Sequence, residues 1–360
     1  IFHKMDEELN CSFVFGDRPV TASVKIKEFD VSNLKHLRMT LVNRIVIKSP
    51  LYWQPGVLSM LREDFDSYII LGDIYCLSTW IFALFARFMR NKRVYFWTHG
   101  VYGDENKIAS FIKKFFFNLC DSVFLYGNRA KQLLENAGFD GNRLHVIYNS
   151  LDYDRQCEIL RSTPKSDIHL KHFGNNYPTI IYIGRIQERK HVSLLFDLVA
   201  KLHSTYSQPV NLVLVGTGNN MESLVNRATK LGIADSIWFY GASYDEEKNC
   251  ELIRNADVCV TPGDIGLTAI HSMTYGCPVI THDKFEIQGP EFEAIIPDVT
   301  GDFYKYGDLN DLCVKTLKWI KKVRENREAI TVACRNEIAA HWNPHKQIEI
   351  IKNVLYKEDK

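Results

Sequence analysis

Apolar residues along this chain arrive in short β-branched and aromatic runs, set apart by longer stretches that turn apolar every third or fourth position. The runs are Ser12-Phe15, Ser67-Leu71, Arg93-Trp97, Ser122-Tyr126, Leu144-Tyr148, Thr179-Ile183, Val210-Val215, Ser236-Tyr240, Asp257-Thr261 and Cys277-Thr281. Several are apolar at consecutive positions, the pattern of a parallel strand covered on both faces. Between them, Val192-Leu195-Leu198-Val199-Leu202 and Met221-Leu224-Val225-Ala228-Leu231 have helical spacing, and Gly232 supplies a stop for the second. Strand and helix alternate throughout, which predicts an α/β protein with parallel sheets and helices on both faces.

The polar stretch from Asp152 to Asn176 interrupts this alternation and reads as a connection between two domains. A length of 360 residues agrees with two. The expected division is 1–165, 166–340 and a last helix, 341–360, that crosses back to the first domain, with Trp342 and Pro344 marking its entry. Residues 1–9 read as the tail of an amphipathic helix ahead of the first strand. Since a βα fold normally opens on a strand, a first strand and its loop are expected to be missing.

Composition narrows the function. Lys and Arg total 44 and Asp and Glu 43, so no basic field favours nucleic acid. The nine cysteines are scattered and form no CxxC, which argues against zinc, a redox dithiol or a disulfide framework and for buried thiols in a cytoplasmic protein. The longest apolar stretch, Leu77 to Met89, contains Arg87 and is shorter than the roughly 18 residues a span needs. No secretory signal is expected from the residues given. Residues 107–119, KIASFIKKFFFNL, are basic and aromatic. Ile108, Phe111, Ile112, Phe115 and Phe116 share a helical face there, with Lys113 and Lys114 beside it. Such a helix either lies on an anionic membrane or packs on its own sheet with its lysines in water.

Two segments carry candidate chemistry. In IGRIQERK, residues 183–190, a strand ends at Ile183, Gly184 lets the chain turn, and Arg185 and Lys190 follow before a helix. Ligands of open parallel sheets sit beyond the carboxyl ends of the strands. There an Arg fork and a Lys point charge can neutralise a diphosphate. In TPGDIGLTAIHSMTYGCPVITHD, residues 261–283, a strand ends at Thr261 and a helix begins near Gly266, Leu267 and Thr268, whose free N–H groups suit an anion. His271 follows about one turn on. Gly216-Thr217-Gly218 resembles a dinucleotide fingerprint, but Met221 stands where its last glycine belongs. His169 with His172 and His341 with His345 lack a third metal ligand and read as surface histidines.

Together with VLVGTGNNMESL, WFYGASYDEEKNCELIRNADVCV and FEAIIPDVTGDFY, these segments resemble the retaining glycosyltransferases of family 4, group 1, with the GT-B fold. The resemblance is strong over 178–320, weaker over 65–152, where WTHG and VIYNSLD fall in place, and poor before about 60. It implies two Rossmann-like domains facing each other across a cleft, the second holding a UDP- or GDP-linked sugar. It also implies transfer with retention to a glycan or lipid-linked acceptor in bacterial surface polysaccharide synthesis, at the inner face of the membrane. Arg185 and Lys190 would bind the donor diphosphate, the amides of Gly266, Leu267 and Thr268 would add to them, and the Gly216 loop would abut the nucleotide. His99 of WTHG would face the donor sugar, and Glu293 or Glu291 would lie close to it.

The family pattern of two glutamates separated by seven residues falls on Gly263 and His271. Asp264, one position along, would then supply the first carboxylate, and His271 would bond ribose hydroxyls. No cofactor or metal is expected, because protein cations hold the diphosphate and no DxD ends a strand. The alternatives are a GT-B sugar-nucleotide epimerase or phosphorylase, and a non-catalytic nucleotide-sugar-binding partner or inactive remnant.

Overall fold

A computed structural model describes residues 1–17, 34–46, 50–89, 91–219 and 221–357. Arg90, next to the apolar stretch at 77–89, and Asn220, within VLVGTGNNMESL, lie outside the described residues. The chain forms two compact units. One is Ile1–Tyr148 joined by the segment from His345, the other Asn149–Pro344.

The first unit opens with a helix, Phe2–Glu8, as the amphipathic pattern of residues 1–9 predicts. Strands β1 (Phe13–Gly16) and β2 (Leu37–Leu41) pair in parallel, and β3 (Arg44–Ile45) and β4 (Tyr52–Trp53) form a short antiparallel pair. Its main sheet is parallel and runs in chain order: β5 (Ser67–Leu71), β6 (Arg93–Thr98), β7 (Ser122–Leu125) and β8 (Leu144–Val146). Side chains alternate across it. Val94, Phe96, Val123 and Leu125 pack against Phe82, Ala83 and Ala86 of the helix Leu77–Ala86 and Phe116 and Phe117 of the helix Lys107–Phe117. On the other face Tyr95, Trp97 and Phe124 meet Met5 and Leu9, and also Ile348, Ile351 and Leu355 of the helix Pro344–Lys357. Lys352 and Tyr356 of that helix bond Glu8 and the Leu9 carbonyl, at 2.8 and 3.4 Å.

The second unit has six parallel strands: β9 (Thr179–Ile183), β10 (Asn211–Val215), β11 (Ile237–Gly241), β12 (Val258–Val260), β13 (Val279–His282) and β14 (Gly301–Tyr304). Their spatial order is β11-β10-β9-β12-β13-β14. The order reverses between β9 and β12, so the loops leaving these two neighbours diverge to opposite faces and open a crevice. Both candidate segments are those loops.

The polar stretch 152–176 is not a bare connection. It holds the helices Tyr153–Ser162 and Ile168–Phe173, which belong to the second unit. Their buried faces include polar residues, which hid the periodicity. Gln156 donates to Glu246 at 2.9 Å, and His169 bonds the Leu252 carbonyl at 3.0 Å. His169 is therefore a buried histidine and not a surface one. All nine cysteines are free, seven of them buried.

Candidate functional site

The loop after β9 is shaped by backbone contact. A Cβ on Gly216 would stand 1.9 Å from the Gly184 carbonyl oxygen, so no larger residue fits where the loops after β9 and β10 touch. The Gly184 N–H donates to Val215, and the Ile186 N–H to Thr217. Arg185 leaves this turn exposed, and among the described residues its guanidinium has no partner. Lys190 is the opposite case. Its side chain is 12% exposed, and its ammonium donates to the Asp264 carbonyl at 2.5 Å and to Asp264 Oδ2 at 3.1 Å. Burial holds its pKa below the ordinary lysine range, and the charge of Asp264 works against that shift. Arg189, which the sequence reading passed over, reaches the same Oδ2 at 3.1 Å. The other oxygen of Asp264 is buried without a hydrogen bond among the described residues.

The loop after β12 is tied down at successive positions by side chains from four elements. Tyr304 donates to the Pro262 carbonyl (2.7 Å), Thr281 to that of Gly263 (3.1 Å) and Lys190 to that of Asp264, while Gln288 accepts from the Ile265 N–H (2.9 Å). The next residues, Gly266, Leu267 and Thr268, lead into the helix Thr268–Thr274, and their N–H groups donate to nothing among the described residues. The Thr268 hydroxyl donates to the Ile183 carbonyl at 3.0 Å, joining this helix to the end of β9.

The structure explains why the two-glutamate pattern is absent. A Cβ at Gly263 would lie 2.2 Å from the Arg189 carbonyl oxygen and 2.5 Å from Lys190 Cα, both backbone atoms. No glutamate can occupy that point while the IGRIQERK loop keeps this path. At the second position, His271 Nε2 lies 2.8 Å from a carboxylate that arrives from another helix, Glu246. The same oxygen of Glu246 accepts from Tyr275 (2.6 Å) and from Gln156. Burial would raise the Glu246 carboxyl, but the hydrogen bond and charge of His271, with the bonds from Tyr275 and Gln156, pull it down to about 2. Spacing did not reveal Glu246, because it lies 25 residues from His271.

On the turn Pro290–Ala294, Glu291 is buried and Glu293 half-buried. Burial raises the Glu291 carboxyl, and a 2.7 Å bond from Asn149 and the charge of Lys190 moderate the rise. Glu291 thus senses the charge of Lys190. At the end of β13, His282 is fully buried. Its Nδ1 accepts from the Lys284 N–H at 3.2 Å, which leaves the proton on Nε2, and Nε2 has no partner among the described residues. Burial lowers this imidazole to about 4.

His99 follows β6 in the first unit. It is exposed and packs on Tyr126 with 4.6 Å between ring centroids, and loss of water around the ring holds its pKa down. Among the described residues no cluster of three His, Cys, Asp or Glu side chains is arranged to hold a metal ion.

Residues 166–337 match the family of glycosyl transferases group 1. Over 214 residues the chain is 26% identical to the sulfoquinovosyl transferase SQD2 of Arabidopsis thaliana, covering 58% of this chain and 39% of that protein. With two further curated relatives the matched stretch is 54% and 36% of the relative, so the chain spans about half or less of their lengths. Among solved structures, a glycosyltransferase from Rickettsia africae superposes with a TM-score of 0.65 at 18% identity, over 88% of this chain and 85% of that one. Anabaena HepE in complex with UDP gives 0.64 at 16% identity, over 89% and 87%. At such identities the likeness establishes the fold, which is GT-B.

Proposed function

We propose that this chain is a glycosyltransferase that moves a hexose from a UDP- or GDP-sugar to a glycan or lipid-linked acceptor, with retention at the anomeric carbon, in bacterial surface polysaccharide synthesis. The observation that carries the reading is the pair of loops at the sheet's reversal point, where an unpaired arginine and a buried, pre-anchored lysine are brought onto neighbouring strands. The curated relatives that transfer sugars, and the neighbour crystallised with UDP, support it.

As the bond from the anomeric carbon to the diphosphate breaks, negative charge grows on the leaving group. Arg185 meets it as a fork and Lys190 as a point charge, with the amides of Gly266, Leu267 and Thr268 beside them. Asp264 already fixes Lys190, so little reorganisation accompanies the step. With His271 Nε2 engaged by Glu246, its Nδ1 is left to bond a ribose hydroxyl. Asp264 approaches the donor sugar, and Glu291 or Glu293 orients it. Protein cations carry the neutralisation, so the reaction proceeds without a divalent metal.

A thermal-shift panel of UDP, GDP, ADP, TDP and CMP, with and without EDTA and repeated on Arg185→Ala, tests this. A ligand that binds only the folded state raises its melting temperature by mass action. One nucleoside diphosphate is expected to raise it, EDTA to leave the rise intact, and the variant to abolish it. No rise with any of the five would refute the assignment.

A further inference from the structure

The helix Lys107–Phe117 is apolar on two faces. Phe116 and Phe117 enter the core of the first unit, at 0 and 1% exposure. Ile108, Phe111 and Phe115 point away from it and are 74, 71 and 56% exposed. The sequence grouping of Phe116 with the outward residues is therefore corrected: it sits about a quarter turn away, on the sheet side. A helix that only had to cover a sheet would carry polar residues outward.

The neighbouring helix repeats the arrangement. Phe82, Ala83 and Ala86 are buried, while Leu84, Phe85 and the following Phe88 are 44, 55 and 78% exposed. The two helices touch, because Trp80 stacks on Phe115 at 6.1 Å and Arg87 donates to the Asn118 carbonyl at 2.7 Å. Their outward apolar residues thus belong to adjacent elements of one surface, a feature that marks an interaction site on a folded protein.

The charge within the two segments is basic, with acidic residues just beyond their ends at Asp73, Asp104, Glu105 and Asp121, of which Glu105 pairs with Lys113 at 2.7 Å. From Ile74 to Gly103, and again from Lys107 to Cys120, the sequence contains no Asp or Glu, while Arg87, Lys107 and Lys114 are exposed there. Large aromatics among exposed basic side chains are what an interfacial helix presents to anionic headgroups. A protein partner would have to cover the same rings with an acidic rim. Among the described residues no helix is long and apolar enough to cross a membrane, so contact of this kind would lie on the surface. We infer that these two helices dock the protein onto a bilayer containing anionic phospholipid, through Phe88, Phe111 and their neighbours. This inference is independent of the transfer reaction.

Sedimentation with phosphatidylcholine vesicles, alone or mixed with phosphatidylglycerol, tests it on the intact chain. Binding is expected with the mixed vesicles and to weaken with added salt. Phe88→Asp with Phe111→Asp should reduce it about tenfold or more, and Lys107→Glu about fivefold or more. Circular dichroism checks that the variants are folded, and Tyr244→Asp, an exposed residue of the other unit, should bind as the parent does. Equal binding to both vesicle types, or unaltered binding by folded Phe88→Asp/Phe111→Asp, would overturn the inference. So would a self-associated form that the double substitution converts to monomer while vesicle binding is absent.

Discussion

Every residue of β9 and β10 in the second unit is buried, whereas β5 of the first unit is half-buried along its length and ends in Leu71, 64% exposed. The first unit also leaves rings of two helices in the open, while the second holds its loops with side-chain bonds. Where a parallel sheet is covered on both faces, packing fixes the strands and only the loops at their carboxyl ends are left for chemistry. Where helices keep apolar residues outside, the surface itself becomes the feature selected.

Substitutions in the two loops should sharpen that contrast most. Lys190→Ala is expected to cut turnover of the proposed reaction by about 10²–10³ and to destabilise the second unit by about 2 kcal/mol, since Asp264 loses its buried partner. Arg185→Ala should cost a similar factor in turnover with no change in melting temperature, because its guanidinium has no partner among the described residues. Steady-state rates beside thermal melts separate the two, and a stability loss in Arg185→Ala would show an unrecognised structural role.

Restoring the glutamate of the resembled family tests the loop packing next. Gly263→Glu pushes a Cβ into the backbone at Arg189 and Lys190, and should cost about 3 kcal/mol in urea unfolding. An unchanged midpoint would mean that the loop yields.

Two further effects depend on pH. His282 has a folded pKa of about 4, below the unfolded value near 6.5, so the unfolded chain binds more protons between them. Its contribution is present above about 6.5 and is lost as pH falls toward 4, by about 3 kcal/mol. His282→Gln should flatten that part of the stability profile. Glu246 has a folded value of about 2. Its contribution is present above its ordinary value near 4.5 and is lost as pH falls toward 2. Glu246→Gln should remove about 1 kcal/mol at neutral pH, read as a lowered melting temperature that no longer falls further in acid through this group.

The fold was legible wherever apolar runs were long. Ten strands follow from the runs alone, but β2, β3, β4 and β14 do not: β3 and β4 are two residues each, and β14 opens Gly301-Asp302. The helices within 152–176 were missed because a buried glutamine and histidine face inward in place of apolar residues. In the site, Gly184, Arg185 and Lys190 could be read from a strand–glycine–cation order. Glu246, Arg189 and Asn149 could not, because each acts through a hydrogen bond to a residue distant in sequence. Even which of Glu291 and Glu293 is the more buried needed coordinates, since two residues on a tight turn differ only in which one faces inward.

The first unit draws one of its covering helices from beyond Pro344. On the ribosome, β5 to β8 are therefore made long before the residues that seal Tyr95, Trp97 and Phe124, with the whole second unit synthesised in between. Domains generally fold in order of emergence, but here the earlier unit must wait with one apolar face open while the later one completes itself. Assembly of the first unit thus reports that the second has already been made, and a chain stopped before His345 would present that open face to chaperones and proteases.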